Sequence, residues 1–208
     1  METTEYNSDG FNMVELAVSR DLIHWERVGK REKFIPLSEV EGGRNYDVSQ
    51  LLAGNQPTVK DGEIWVYYSG LKLRIHPSSR KGEKSDPIRD GGAICLTKLR
   101  LDGFVSLDAG EETGYAMTKP FLLEGTELHA NLKAPRGELR VELLDHKTQK
   151  PLPGYSLQES EPLTGDGLDL QLRWKSGTDL SSLVGRTVRL HFVLKNASLY
   201  SYWATEES

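Results

Sequence analysis

The chain has 208 residues, 37% hydrophobic and 27% charged, with a net charge of −5. That is the composition of a soluble, folded protein with room for one large or two small domains. The acidic balance excludes a nucleic-acid binder, which needs a basic face, and no apolar run approaches the ~18 residues of a membrane-spanning helix, so neither nucleic acid nor membrane is expected as a partner.

The first segment, METTEYNSDGFN, is polar and lacks the apolar core of a secretory leader. Two readings of Met1 stand: a cytoplasmic protein, or the back portion of a longer one, so the compartment stays open. Val14, Leu16 and Val18 then alternate with Glu15, Ala17 and Ser19, the period of a strand. The stretch SRDLIHWERV breaks at Arg20-Asp21 and resumes around Trp25, which predicts a tight hairpin. An aspartate at such a turn accepts backbone N–H groups and holds it. For Trp25 one reading is a wedge between neighbouring sheets, and the rival is a stacking platform for a sugar ring.

EVEGGRN (residues 39–45) reads as a loop. Ile64, Val66 and Tyr68 alternate with Trp65 and Tyr67 directly after Lys60-Asp61-Gly62, a hairpin signal. HPSSRKGEKSDPIRD (residues 76–90) holds two prolines and mixed charge and is expected to be an exposed loop. Its basic Arg80, Lys81 and Lys84 are offset by Glu83, Asp86 and Asp90, against a phosphate site. GGAICLTKL and, after a Leu101-Asp102-Gly103 turn, FVSLDA continue the meander of short antiparallel strands. Cys95, the only cysteine, cannot form an intrachain disulfide and reads as a buried, inert thiol.

Past Glu112 the texture changes, and the domain boundary is placed there: residues 1–112, then 113–208. Leu128/Ala130/Leu132, Leu139/Val141/Leu143, Leu168/Leu170/Leu172/Trp174 and Val188/Leu190/Phe192/Leu194 each alternate with polar neighbours. That is the pattern of an antiparallel β-sandwich with its outer faces in water. DLSSL (residues 179–183), capped by Asp179 and stopped by Gly185, predicts a single helical turn.

SRDLIHWERV is similar to the S-x-D-x-x-x-W hairpin of five-bladed β-propeller glycosidases, the group that includes invertase-like and arabinanase-like enzymes. QPTVKDGEIWVYYSG resembles the first two strands of a following blade. ICLTKLRLDGFVSLDAGEE with TKPFLLEG, then RVELLDHKTQKPLPGYSL, PLTGD and GTDLSSLVGRTVRLHFVLKNASLYSYW, resembles the last blade of such proteins passing into a β-sandwich. The resemblance implies an all-β chain: about one and a half partial β-propeller blades followed by a jelly-roll-like antiparallel β-sandwich.

In that group the catalytic carboxylates come from the first three blades, so no catalytic residue carries over to this chain, and Glu15 is not assigned as one. The resemblance implies a carbohydrate partner. Asp47, after Tyr46, stands where related proteins place an aspartate near the central pocket, and Arg44, Gln56 and Tyr68 are the accompanying candidates for substrate binding. The five histidines show no H-x-x-x-H spacing, and no P-loop, Rossmann glycine pattern or G-x-S-x-G elbow occurs, so no metal or cofactor is expected. Asp102 and Asp108 read as turn residues. Asn196-Ala197-Ser198 is a glycosylation sequon, informative only in a secreted chain.

Three functions remain open: the closing part of a glycoside hydrolase-like propeller, inactive by itself; a non-catalytic carbohydrate-binding module; and a purely structural sandwich. The last is favoured by outer positions such as Arg140, Glu142, Asp169, Gln171 and Arg173, which are charged or polar where a sugar platform would need aromatic rings. Exposed blade edges imply self-association.

Overall fold

The computed structural model describes residues 11–40, 44–54, 56–72, 91–177 and 179–206. Of the described residues 54% are in strands and 3% in helices, which makes the protein all-β. The loop read at residues 76–90 lies outside them, as do residues 41–43 of the loop at 39–45. The chain divides into two compact units, residues 1–99 and 100–208.

The first unit contains β1 (Val14–Glu15), β2 (Ala17–Val18), β3 (Glu26–Arg27), β4 (Lys33–Ile35), β5 (Gln50–Ala53), β6 (Thr58–Lys60), β7 (Glu63–Leu71) and β8 (Gly92–Arg100). β1 pairs with β4 and β2 with β3 as two short ribbons. β7 is the shared strand of the larger sheet. β5 and then β6 run antiparallel to it, from Gln50↔Leu71 to Ala53↔Tyr68 and from Thr58↔Trp65 to Lys60↔Glu63, and β8 pairs with it as well. Asp61 and Gly62 both take positive φ, 53° and 75°, as the two-residue turn of the Lys60-Asp61-Gly62 signal requires. Ile64, Val66 and Tyr68 are buried on one face while Tyr67 is exposed on the other, the predicted alternation.

The second unit contains β9 (Leu107–Ala109), β10 (Gly114–Met117), β11 (Phe121–Leu122), β12 (Glu127–Asp145), β13 (Leu163–Gln171), β14 (Thr187–Lys195) and β15 (Ala197–Thr205). They form one seven-stranded, nearly closed barrel-like sheet. β12 is its spine. Its C-terminal half pairs with β14 (Glu138↔Lys195 to Asp145↔Val188) and its N-terminal half with β15 (Glu127↔Thr205 to Lys133↔Ser198).

The bend between these halves has a local cause. Gly137 lies so close to the opposite backbone that a Cβ there would sit 2.0 Å from the Lys195 carbonyl oxygen, and Asn196 turns with φ of 47°. A strand that changes course at such an irregularity lets one sheet curl around its own core.

That core is built from the inward positions read in the sequence. Leu128, Ala130, Leu132, Leu139, Val141, Leu143, Val188 and Leu190 are fully or almost fully buried. Each leucine so buried contributes ~1.5–3 kcal/mol. Trp174 is 1% exposed, donates its indole N–H to the Val141 carbonyl at 3.0 Å and meets Tyr155 edge-on at 5.4 Å. The predicted helical turn is a 3-10 turn at Ser181–Leu183, with Asp179 accepting the Ser181 N–H at 2.8 Å.

Residues 100–112, which the sequence groups with the first part, belong to the second unit. Arg100 donates to the Asn131 side-chain oxygen (2.8 Å), to Asp166 (2.6 Å) and to the Gly167 carbonyl (3.0 Å), and its guanidinium lies over the Tyr200 ring. Fully buried Asn131 completes this knot by donating to the Leu101 carbonyl at 2.7 Å. β9 then pairs with β15.

Candidate functional site

Of the four residues singled out in the sequence, the structure brings two together. Asp47 is held in place by its backbone carbonyl, which accepts the Ser38 N–H at 2.9 Å, while nearby Ser49 donates to the Leu71 carbonyl at the end of β7. Tyr68 projects from the buried face of β7, 8% exposed, and donates its hydroxyl to Asp47 Oδ2 at 2.8 Å. Burial, and then the Asp47 carboxylate, push the Tyr68 hydroxyl well above the usual tyrosine range. It therefore stays protonated at neutral pH and serves as a fixed donor.

Two residues that the sequence did not assign to the site complete the cluster. Cys95, on β8, faces the same space, and burial followed by the Asp47 charge raises its thiol pKa, so the thiol stays neutral. Gly70 makes the convergence possible, because a Cβ at this position would lie 2.9 Å from both Asp47 Cβ and Cys95 Sγ. Periodicity alone places Tyr68, Gly70 and Cys95 on alternate positions of two strands. The pairing of β8 with β7 is what joins them.

Beside Asp47 the Lys72 ammonium lies 4.3 Å from the centre of the Tyr46 ring, a cation–π contact. Arg44 and Gln56 are exposed and make no hydrogen bond to Asp47 or Tyr68 among the described residues. The site is thus a carboxylate held by a tyrosine hydroxyl, with a cation–π pair formed at the neighbouring Tyr46.

The Arg20–Trp25 hairpin divides its two expectations. Asp21 holds the turn as predicted, its Oδ1 accepting the N–H groups of Ile23 (2.9 Å) and His24 (2.8 Å) and its Oδ2 pairing with His24 Nδ1 at 2.6 Å. These bonds, led by that of His24, hold the Asp21 carboxyl far below the usual range. Trp25 departs from the wedge role. It is 58% exposed, beside strands β2 and β3 of two residues each, and its N–H donates to the Leu22 carbonyl at 3.3 Å. Glu15 is engaged structurally, by Lys33 and Arg27.

On the outer face of the second unit, cross-strand pairing assembles two groups that spacing along the chain conceals. Glu142, almost buried, accepts from His191 Nδ1 at 2.8 Å and from the Leu157 N–H at 3.2 Å, and the exposed Tyr115 ring stacks on the imidazole. His129 is bound between Asp169 and Glu127 and stacks on Trp203. Both carboxylates of the second group and the one of the first orient an imidazole, and no serine or cysteine is hydrogen-bonded to either ring among the described residues. No group of three metal-ligating side chains occurs among the described residues. Comparisons with family models, with curated proteins and with solved structures return no match for this chain.

Proposed function

We propose that the chain is a carbohydrate-binding protein without hydrolytic activity of its own. In this reading the first unit corresponds to about one and a half blades of a five-bladed glycosidase-like propeller, and the second to the jelly-roll-like sandwich that follows it. The observation that carries the reading is the Asp47–Tyr68 hydrogen bond of 2.8 Å, with the Tyr46–Lys72 cation–π pair next to Asp47 in the chain. The Tyr68 hydroxyl gives its one proton to Asp47 and so fixes the carboxylate, whose remaining lone pairs accept from sugar hydroxyls, with Arg44 and Gln56 as flanking contacts.

Calorimetric titration with oligosaccharides of β-fructan and arabinan tests the reading. Binding is expected in one of these series, weakened about tenfold or more by Asp47→Asn, as befits the loss of a charge-assisted hydrogen bond worth ~1.5–3 kcal/mol. Incubation of the same sugars, and of nitrophenyl glycosides, is expected to release no product. Absence of binding across the panel, or binding unchanged by Asp47→Asn, overturns it.

A specific observation favours a structural role for the second unit. Its outer-face charges are engaged with one another, as in Arg140–Glu138, Arg140 to the Ser160 carbonyl and Gln171–Glu127, in place of an open row of aromatic rings.

A further inference from the structure

The second unit also holds a cleft of about 360 Å³, at the lower end of the range for small-molecule sites. Phe121, Leu122 and Tyr202 form its apolar walls, and Glu124 and Glu206 supply its charge. The aromatic walls are fixed from behind: Phe121 packs against the leucine core, and Tyr202 leans on buried Phe192 with ring centres 5.0 Å apart. The floor is backbone. Thr126 donates to the Thr205 carbonyl at 2.8 Å, and Gly125 comes so near that a Cβ would lie 2.6 Å from Thr205 N and O. Any larger residue at 125 would separate the two segments and fill the cleft.

No lysine or arginine lines the cleft, and among the described residues neither Glu124 nor Glu206 forms an ion pair. Formal negative charge beside aromatic faces attracts a cation that has an apolar body, through Coulomb attraction at the carboxylates and the ring quadrupole at the walls. A bare metal ion fits poorly, because calcium takes six to eight oxygen ligands and the walls here are hydrocarbon. We propose that this cleft binds an organic cation, a guanidinium or alkylammonium group such as an arginine side chain presents. The proposal is independent of the carbohydrate reading, since it uses none of the residues around Asp47.

The test is an amide chemical-shift titration of the full chain with Nα-acetyl-arginine amide and with its neutral counterpart, Nα-acetyl-citrulline amide. Saturable shifts centred on the Gly125 and Thr205 amides are expected with the arginine derivative, and binding about tenfold weaker or worse with citrulline. The double variant Glu124→Gln/Glu206→Gln keeps shape and removes charge. It is expected to retain the wild-type spectrum and lose about tenfold in arginine affinity. No saturable shift, equal binding of citrulline, or full affinity in the double variant overturns the proposal.

Discussion

The two units are built from the same kind of element and differ in what they do with it. The second wraps a single sheet around its own apolar side chains, so that leucines, valines and Trp174 on facing strands close on one another. Among its described residues the first buries Ile35 in the β1–β4 ribbon and Leu51, Ile64, Val66 and Tyr68 on one side of the β7 sheet. Its other side is open. Lys98 reaches Glu63 at 2.9 Å and lies over the Trp65 ring, which puts Ile94 and Leu96 of β8 on the same face as Trp65 and Tyr67. Ile94 is 75% exposed, and Leu52 and Tyr67 about half exposed. The same alternation therefore makes a finished core when the sheet curls and an exposed apolar surface on a sheet of four strands.

The largest expected effect follows from that closure. Leu143→Ala or Trp174→Ala in the second unit is expected to cost ~3–5 kcal/mol, read by urea unfolding. Leu52→Ala, on the open face of the first unit, is expected to change stability by less than about 0.5 kcal/mol. Comparable losses at the two positions would erase the contrast.

Next in size is the knot at the start of the second unit. Asn131→Ala leaves the Arg100 Nε and the Leu101 carbonyl without their partner, and is expected to cost ~1–3 kcal/mol in the same measurement. A neutral result would show that residues 100–101 are not anchored to the second unit.

We propose that the open face is also a surface for other chains. We expect the protein to self-associate through it, and the double variant Ile94→Lys/Leu96→Lys to shift the mass measured by light scattering toward the monomer. A wild-type monomer at all concentrations would sink that expectation.

Much of this contrast is legible in the sequence. The alternations at 128–132, 139–143 and 188–194 name the core of the second unit nearly residue by residue, because burial on one face of a strand forces period 2. The Asp61-Gly62 turn and the Asp21 turn are equally legible, since positive φ and side-chain capping are local demands. What escapes is whatever depends on pairing between distant strands. Gly70 and Cys95 join Asp47 only through β8, Glu142 meets His191 only across the register of β12 and β14, and the cleft at Phe121 exists only where Thr205 runs beside Gly125. Residues 100–112 group with the second unit through the same kind of long-range contact, since Asn131 reaches back to Arg100 and the Leu101 carbonyl and β9 pairs with β15. Trp25 shows the limit of a local signal: an indole in a turn suggests packing, yet it stands 58% exposed beside two-residue strands.

The smallest effects are in pH dependence. Raised in the folded chain above its ordinary value of 10.0, Tyr68 binds its proton more tightly folded than unfolded. Its contribution is whole below that value and is lost as pH rises above it, so alkaline unfolding is expected to shift to higher pH in Tyr68→Phe. At the other end, the carboxyls of Asp145, Glu159 and Asp179 are lowered, chiefly by hydrogen bonds from Thr148, Ser156 and Ser181. Their contribution is present above the unfolded carboxylate range and lost as pH falls through the folded values. A thermal melt of the second unit that is flat below pH 4 (about the unfolded carboxylate value) would contradict this.

Hydrogen exchange of the full chain, with and without the oligosaccharide identified by calorimetry, tests the central claim most directly. The expected result is slow exchange across β12 and β14 in both states, faster exchange across β7 and β8 in the free chain, and sugar-induced protection confined to residues 44–54 and 63–71. Equal protection of the two units, or sugar-induced protection appearing in the second unit or nowhere, would contradict the account.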